Sequence, residues 1–75
     1  MTGGATRWDA GHMGCGDLVV ELRRRLAPLR PGSLFDLTAH DPGAPEDIPS
    51  WCRLTGHELV AHEHPLYTIR RRMER

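Results

Sequence analysis

The residue best placed to do chemistry is Cys15, which stands between two glycines, Gly14 and Gly16. An amphipathic helix is predicted from Leu18 onward, with Asp17 as the residue that caps it. A thiol just ahead of a helix lies beside unpaired backbone N–H groups and the positive end of the helix dipole, and both stabilise a thiolate. The thiolate is the form of cysteine that attacks a persulfide or holds a terminal sulfur, so this pattern favours sulfur chemistry at Cys15.

Two nearby side chains would act on this thiol in opposite directions. A protonated His12, three residues before Cys15, would stabilise the thiolate, but the same residue could equally be a solvent-facing part of the loop. A capping carboxylate at Asp17 would use part of the helix dipole and raise the pKa of the thiol through its charge. An unreactive Cys15 that only fills the loop is therefore the alternative to a catalytic one.

The second cysteine, Cys52, falls on the predicted apolar face of a later helix, beside Trp51. Free cysteine is among the most frequently buried residues, so this position predicts an inert member of the core. A disulfide with Cys15 would need the two Cα atoms to lie within about 7 Å. Two cysteines in a chain without an apolar signal segment indicate a reducing compartment, and we expect a cytoplasmic protein without that disulfide.

Five histidines and two cysteines also raise the question of a metal site. The best fragment combines His12 and Cys15 with His62 and His64, which share one face of a predicted strand. Structural zinc sites more usually contain Cys-x-x-Cys or His-x3-5-His pairs. We therefore expect surface histidines and no bound metal.

Arginine triplets occur twice, as Arg23, Arg24 and Arg25 and again at residues 70–72. The first triplet lies on the helix face opposite the apolar residues, and Glu21 is placed for an i,i+4 ion pair with it. These arginines are predicted either as a solvated surface or as a docking surface for an acidic protein or an RNA backbone. Sequence-specific recognition of nucleic acid is not expected, because no aromatic residue flanks the triplets.

The length of 75 residues suits one compact domain and not two. Ten basic and ten acidic residues give no net charge at pH 7, so a polyanion is not the default partner. No apolar run approaches the ~20 residues of a membrane span, and we expect no membrane association. Residues 1–6 are predicted as a flexible leader and residues 7–75 as a single domain.

Hydrophobic periodicity predicts the elements that position Cys15. A short edge strand is expected over residues 7–10, before the glycine-rich loop. Pro31-Gly32 is predicted to end the first helix. Residues 33–39 alternate apolar and polar side chains, which predicts a strand with one buried face. Four residues at a 3-4-3 spacing form the apolar face of the helix: Val19, Leu22, Leu26 and Leu29.

A second helix is predicted after the proline-rich loop. Asp47 would cap it, its first turn would tolerate Pro49, and Gly56 would end it. The inward face of this helix would contain Ile48, Trp51, Cys52 and Thr55.

Residues 58–63 and 66–72 predict two further strands. The connection between them, His64-Pro65, is short enough to require an antiparallel hairpin. The resulting order is βαβαββ, with one apolar side on each element. This pattern favours an α+β fold, a two-layer sandwich with one mixed four-stranded sheet and both helices on one face.

Three short motifs connect the predicted elements. They are Asp-Pro-Gly-Ala at residues 41–44, Asp-Ile-Pro at residues 47–49 and Gly-His-Glu-Leu at residues 56–59. In this order and spacing the motifs resemble the TusA family of small sulfur carriers, also called the SirA-like family. The resemblance covers nearly the whole chain from Trp8 onward, and the motifs together are far more specific than any one alone.

The resemblance implies a role for the cysteine before the first helix, the position that Cys15 occupies. Members of the family accept persulfide sulfur on this cysteine from a cysteine desulfurase or a rhodanese-like protein. They pass it to an acceptor protein, in processes such as tRNA thiolation or thio-cofactor biosynthesis. No cofactor is implied, because the persulfide is itself the cargo.

One departure from the family pattern bears on activity. The signature Cys-Pro-x-Pro is replaced here by Cys-Gly-Asp-Leu at residues 15–18, so the segment lacks the φ restraint of both prolines. We expect His12, Gly14, Gly16 and Asp17 to shape the site instead. A non-catalytic binding or regulatory module that kept the fold is the alternative to a sulfur carrier.

Overall fold

The computed structural model of the protein describes residues 6–73. The predicted leader therefore falls almost wholly outside the described residues, and Thr6 already belongs to the first strand. The predicted order βαβαββ and the α+β class are confirmed. The elements are β1 (Thr6–Asp9), α1 (Cys15–Leu26), β2 (Leu34–Thr38), α2 (Ala44–Thr55), β3 (Glu58–Glu63) and β4 (Leu66–Arg70).

The four strands form one mixed sheet in the order β1-β2-β4-β3. β1 runs parallel to β2, with Trp8 opposite Leu37, whereas β4 is antiparallel to both of its neighbours. β3 and β4 form the predicted antiparallel hairpin. Because β1 and β2 are parallel, the loops that follow them leave the sheet at the same edge, and both lead directly into a helix.

The core lies between the two helices and one face of the sheet. In β2, Phe35 and Leu37 are buried while Asp36 and Thr38 are only half-buried, as the predicted alternation requires. Asp36 accepts a hydrogen bond from the Thr68 hydroxyl (3.1 Å) on the other face. The buried residues are Leu18, Leu22, Leu26, Phe35, Leu37, Ala39, Ala44, Ile48, Cys52, Tyr67 and Ile69.

α1 begins three residues earlier than predicted. Cys15 is its first residue, Gly14 occupies the N-cap position in an extended conformation, and Asp17 lies inside the first turn without capping the helix. The Leu18 N–H donates to the Gly14 carbonyl (2.9 Å), and the Leu18 side chain is fully buried. The earlier start thus gives the Leu18 N–H a backbone acceptor, which it would lack in a helix that began at Leu18.

The prediction that α1 continues to Pro31-Gly32 was wrong, because the helix ends at Leu26. Pro28 has no N–H to donate to the Arg24 carbonyl, so the helical ladder stops there. Leu29 is in a tight turn that returns to the Leu26 carbonyl (3.0 Å).

α2 also begins one turn before its predicted start. Gly43 occupies the N-cap position and Asp47 lies in the first turn, so Asp47 does not cap the helix as predicted. Pro45 fits near the helix start because the first N–H groups have no intrahelical acceptor, whereas Pro49 lies inside the helix and leaves one ladder bond unmade. Gly56 ends the helix as predicted, with φ of 86°.

The strand predictions agree closely with the structure. β3 has the predicted bounds, and β2 and β4 are each shorter than predicted by two residues. Beyond the end of β4 the pairing continues, since the Arg71 N–H donates to the Ser33 carbonyl (2.8 Å). No helix among residues 6–73 is long and apolar enough to cross a membrane.

Candidate functional site

Cys15 lies where the loops after the two parallel strands meet the start of α1. The backbone of the two loops is joined by a hydrogen bond from the His40 N–H to the Gly11 carbonyl (3.0 Å). Gly11 adopts a φ of 60°, which favours glycine at this turn. Cys15 is half-buried and has a free thiol. The structure therefore places the predicted reactive residue at the sheet edge from which both loops emerge.

The hydrogen-bond partner of the thiol is Asp41, from the loop between β2 and α2. The Cys15 Sγ donates to the Asp41 Oδ2 at 3.1 Å. The same oxygen accepts the Gly43 N–H at 2.9 Å, and the Asp41 carbonyl accepts the Ala44 N–H at 3.0 Å. These bonds form an Asx-type turn that fixes the carboxylate as α2 begins.

A second carboxylate, that of Asp47, lies over the same turn. A Cβ atom on Gly43 would lie 3.0 Å from the Asp41 Oδ2 and 3.2 Å from the Asp47 Oδ2. Gly43 thus leaves room for two carboxylates that a larger residue would displace. Both of them act on Cys15.

Burial raises the pKa of the Cys15 thiol to about 12, and the hydrogen bond to Asp41 and the negative charges of Asp41 and Asp47 act in the same direction. The helix position alone predicted a lowered pKa, and the sequence left the net shift open because a carboxylate at Asp17 would oppose it. In the structure the pKa is raised, because burial together with two carboxylates outweighs the partial charge of one helix end.

Sequence reasoning did not identify Asp41 or Asp47 as partners of the thiol, although it noted the motifs that contain them. Asp41 is 26 residues from Cys15, and no local pattern connects the two. The available signal was topological. A polar residue after β2 should lie near a residue after β1, since the ends of parallel strands meet at one sheet edge.

The predicted site-shaping residues surround Cys15 in sequence, but their contacts differ from those expected. The His12 ring lies 5.1 Å from the His40 ring, and Asp41 rather than His12 is the hydrogen-bond partner of the thiol. A Cβ atom on Gly14 or Gly16 would meet nothing within 4 Å, so no close contact requires a glycine there. Asp17 is exposed in the first turn of α1. Their roles at the site remain predictions.

Tyr67 is a further residue at this end of the molecule that the sequence did not single out. Its ring is buried, and its hydroxyl lies 2.7 Å from the His64 Nδ1. Burial raises the pKa of Tyr67, and the charge of a Cys15 thiolate would raise it further. The phenol and the thiol therefore act on each other electrostatically.

The histidines that suggested a metal site have other neighbours. His64 pairs with Tyr67, and the His62 ring stacks on the same tyrosine with the ring centroids 6.4 Å apart. Within residues 6–73, no three His, Cys, Asp or Glu side chains are grouped in a way that could hold a metal ion. The fragment of His12, Cys15, His62 and His64 is therefore not assembled.

The first arginine triplet forms the expected ion pair. Arg25 pairs with Glu21 (2.9 Å), as does Arg24 (3.6 Å), and both arginines are exposed. The Arg25 guanidinium also lies 4.4 Å from the centroid of the Trp8 ring. The triplet occupies the last turn of α1, at the opposite end of the helix from Cys15.

The second triplet contributes to the fold. Arg70 pairs with Glu58 (3.2 Å). The Arg71 guanidinium donates to the Leu26 carbonyl (3.1 Å), and the Arg72 guanidinium donates to the Thr55 carbonyl (2.9 Å). These two arginines therefore bind the last carbonyls of both helices, which a cation favours.

Two surface grooves lie elsewhere. One, of about 490 Å³, covers the sheet face opposite the helices, between Arg7, Asp36 and Thr68. The other, of about 510 Å³, lies between the ends of the helices, next to Arg23, Trp51 and Arg72. Cys15 lines neither of these two grooves.

Cys52 is buried in α2, as predicted, with 3% of its surface exposed. Burial raises its pKa to about 11. Of the two free thiols, Cys15 is the one that a large partner could reach.

The sequence of this chain is similar to those of a known protein family. The family described as "Sulfurtransferase TusA" matches residues 7–72. The chain is 36% identical over 70 residues to the "Sulfur carrier protein TusA" of Pseudomonas paraeruginosa, covering 88% of this chain and 89% of that protein. The protein of the same name from Pseudomonas putida strain F1 is 33% identical over 70 residues, covering 88% of each chain.

Proposed function

The chain belongs to the TusA family, and from this premise we propose that it is a sulfur carrier that accepts persulfide sulfur on Cys15 and delivers it to another protein. Its relatives are named as sulfur carriers, and the match extends over nearly all of both chains. The observation that carries the proposal is the position of Cys15 at the first residue of α1, half-buried and close to the surface. The other cysteine is enclosed in the core.

The transfer needs only thiol chemistry. The Cys15 sulfur attacks the terminal sulfur of a persulfide on the donor protein, which forms one S–S bond as the S–S bond of the donor breaks. The donor leaves as a thiolate and takes up the proton that Cys15 loses. The products are a donor thiol and a persulfide on Cys15, with no net oxidation or reduction, so no cofactor takes part.

The proposed partners are two proteins that meet Cys15 in turn. A cysteine desulfurase or a rhodanese-like protein would supply the sulfur, and an acceptor protein would remove it. Cys15 is half-buried and not enclosed in the core, which suits a thiol that exchanges sulfur with other proteins at their surfaces.

The direct test is sulfur loading followed by intact-mass spectrometry. After incubation with a cysteine desulfurase and cysteine, the protein should gain the mass of one sulfur atom, about 32 Da. The added mass should be lost on reduction and absent in Cys15→Ser. Cys52→Ser is the matched control and should load as the unmodified chain does.

The second candidate function is a non-catalytic binding module, and the raised pKa of Cys15 is the observation that favours it. A thiol held protonated is a poor nucleophile in the free protein. If a desulfurase that loads another carrier under the same conditions leaves this chain without added sulfur, the carrier proposal fails and the binding module is favoured.

A further inference from the structure

In the hydrogen bond between Cys15 and Asp41 the thiol is the donor, and this direction affects the protonation of Cys15. Sγ is the donor and the Asp41 Oδ2 is the acceptor, at 3.1 Å. A thiolate has no proton to donate and would face a like charge at this distance. The contact therefore stabilises the thiol against the thiolate.

We propose that Asp41 is a positioning residue of the sulfur-accepting site, whose carboxylate holds Cys15 as a protonated thiol until a donor protein docks. This inference rests on the proposed function, because it assigns a role to Asp41 in the same transfer. It adds that Cys15 stays protonated, and therefore poorly reactive, until the donor protein docks.

The carboxylate is fixed by the backbone of its own loop. The Asp41 Oδ2 accepts the Gly43 N–H at 2.9 Å, and its orientation is thus set by the start of α2 rather than by Cys15. α1 in turn fixes the position of Sγ, since Cys15 is the first helical residue. The contact joins two ordered elements, which distinguishes it from a chance pairing of two flexible surface side chains.

The other ionisable groups that act on Cys15 do not oppose this effect. Asp47 of α2 adds a second negative charge, and the pKa of the Tyr67 phenol in β4 is itself raised by burial and by the charge of Cys15. Burial disfavours the thiolate as well.

A protonated Cys15 should discriminate between small thiol reagents and a docked donor protein. Small oxidants, disulfides and alkylating agents react with the thiolate, so the free protein exposes little of the reactive form to them. A docked donor that offers a hydrogen bond to Asp41 would take that oxygen away from Sγ. The proton of Cys15 then passes to the departing donor thiolate, and Asp41 is unchanged at the end of the transfer.

The test measures alkylation of Cys15 by iodoacetamide against pH in the full chain carrying Cys52→Ser. Asp41→Asn keeps an oxygen for the Gly43 N–H and removes the charge. It should lower the apparent pKa of the thiol and speed alkylation at pH 8 about tenfold, which corresponds to about one pKa unit. Glu58→Gln, which removes an exposed carboxylate at the opposite end of the sheet from Cys15, should alter the rate less than about twofold.

Equal profiles for Asp41→Asn and Glu58→Gln, with both proteins folded by circular dichroism, would overturn the proposal. Slower alkylation of Asp41→Asn would also overturn it, since Asp41 would then act as a base. Asp41→Ser provides a second uncharged variant, and loss of the fold in both variants would show a purely structural role. Sulfur loading of the unmodified chain is measured separately, so failure of the carrier function is distinguishable from failure of the role of Asp41.

Discussion

At Cys15, a helix end that favours the thiolate meets two carboxylates and partial burial that favour the thiol. The helix end contributes roughly half a unit of positive charge, which the first turn already shares with Asp17. Asp41 and Asp47 each bring a full carboxylate to the other side of the sulfur. Burial of the sulfur and these two carboxylates together raise the pKa, so a partner that moves the loop before α2 would change the contribution of the carboxylates.

Gly43 leaves the space that the Asp41 and Asp47 carboxylates occupy, and Gly43→Ala should test whether that space is needed. The new Cβ would lie 3.0 Å from the Asp41 Oδ2 and 3.2 Å from the Asp47 Oδ2, so one carboxylate must shift. We expect a loss of about 1 kcal/mol or more in the free energy of unfolding, measured by urea denaturation. Gly16→Ala, at a helical position with nothing within 4 Å, should instead stabilise by about 0.5 kcal/mol. Equal effects of the two substitutions would contradict this account.

The sequence singled out Cys15 as the candidate reactive residue and did not indicate Asp41, the hydrogen-bond partner of its thiol. The glycines and the helix period around Cys15 are local signals within one segment of chain. The contact with Asp41 arises only when two loops leave the same sheet edge, 26 residues apart in sequence. His12 is close to Cys15 in sequence, but its ring faces that of His40. Proximity along the chain therefore predicted the wrong neighbour for the thiol.

Among the elements, strands were predicted better than helix starts. Alternation fixes a strand because each side chain in β2 or β4 faces either the core or solvent. Helix starts were assigned to Asp17 and Asp47 as caps, whereas the helices begin earlier, at Cys15 and at Ala44. The earlier starts give the Leu18 and Asp47 N–H groups backbone acceptors in Gly14 and Gly43, which a side-chain cap at Asp17 or Asp47 would not supply.

The helix ends are held by the segment that follows β4, and Arg72→Met should test this. The Arg72 guanidinium donates to the Thr55 carbonyl at 2.9 Å. Loss of this charge-assisted bond at the end of α2 should lower the free energy of unfolding by about 1 kcal/mol. Arg24→Met, which removes an exposed arginine paired with Glu21 at 3.6 Å, should cost less than about 0.5 kcal/mol. Urea denaturation of both variants provides the measurement, and equal losses would argue against a role for Arg72 at the helix end.

On the scale of the whole molecule, positive and negative charges are separated although they balance in number. Both helices begin beside Cys15, where their first turns carry Asp17, Glu46 and Asp47. Both helices end at the opposite side, where their last carbonyls bind Arg71 and Arg72. Each group of charges complements the nearby helix dipoles.

The stability of the whole chain should depend on pH through His57. Its Nδ1 accepts the Arg72 backbone N–H at 2.9 Å, and burial, followed by the charges of Arg72 and Arg71, lowers its pKa. The unfolded chain, with a histidine pKa of about 6.5, then binds the proton first as the pH falls. This contribution is complete above about pH 6.5 and is lost as the pH falls through the folded pKa.

Urea denaturation at pH 7.5 and pH 5 would measure that dependence. His57→Asn keeps an acceptor for the Arg72 N–H but cannot titrate, so it should lose less stability between the two pH values than the unmodified chain. An unchanged pH dependence in His57→Asn would refute the role of His57.

The two helices run side by side in the same direction, and the charges at their ends affect how the molecule is oriented when it meets another protein in solution. With acids at one end and arginines at the other, the neutral molecule carries a permanent electric moment along the helix axes. In the field of a charged protein it would rotate before contact, and the sign of the approaching surface would select which end leads. Dissolved salt would shorten the range of this alignment to about 8 Å at physiological ionic strength. A protein without net charge can in this way reach a charged partner in a preferred orientation.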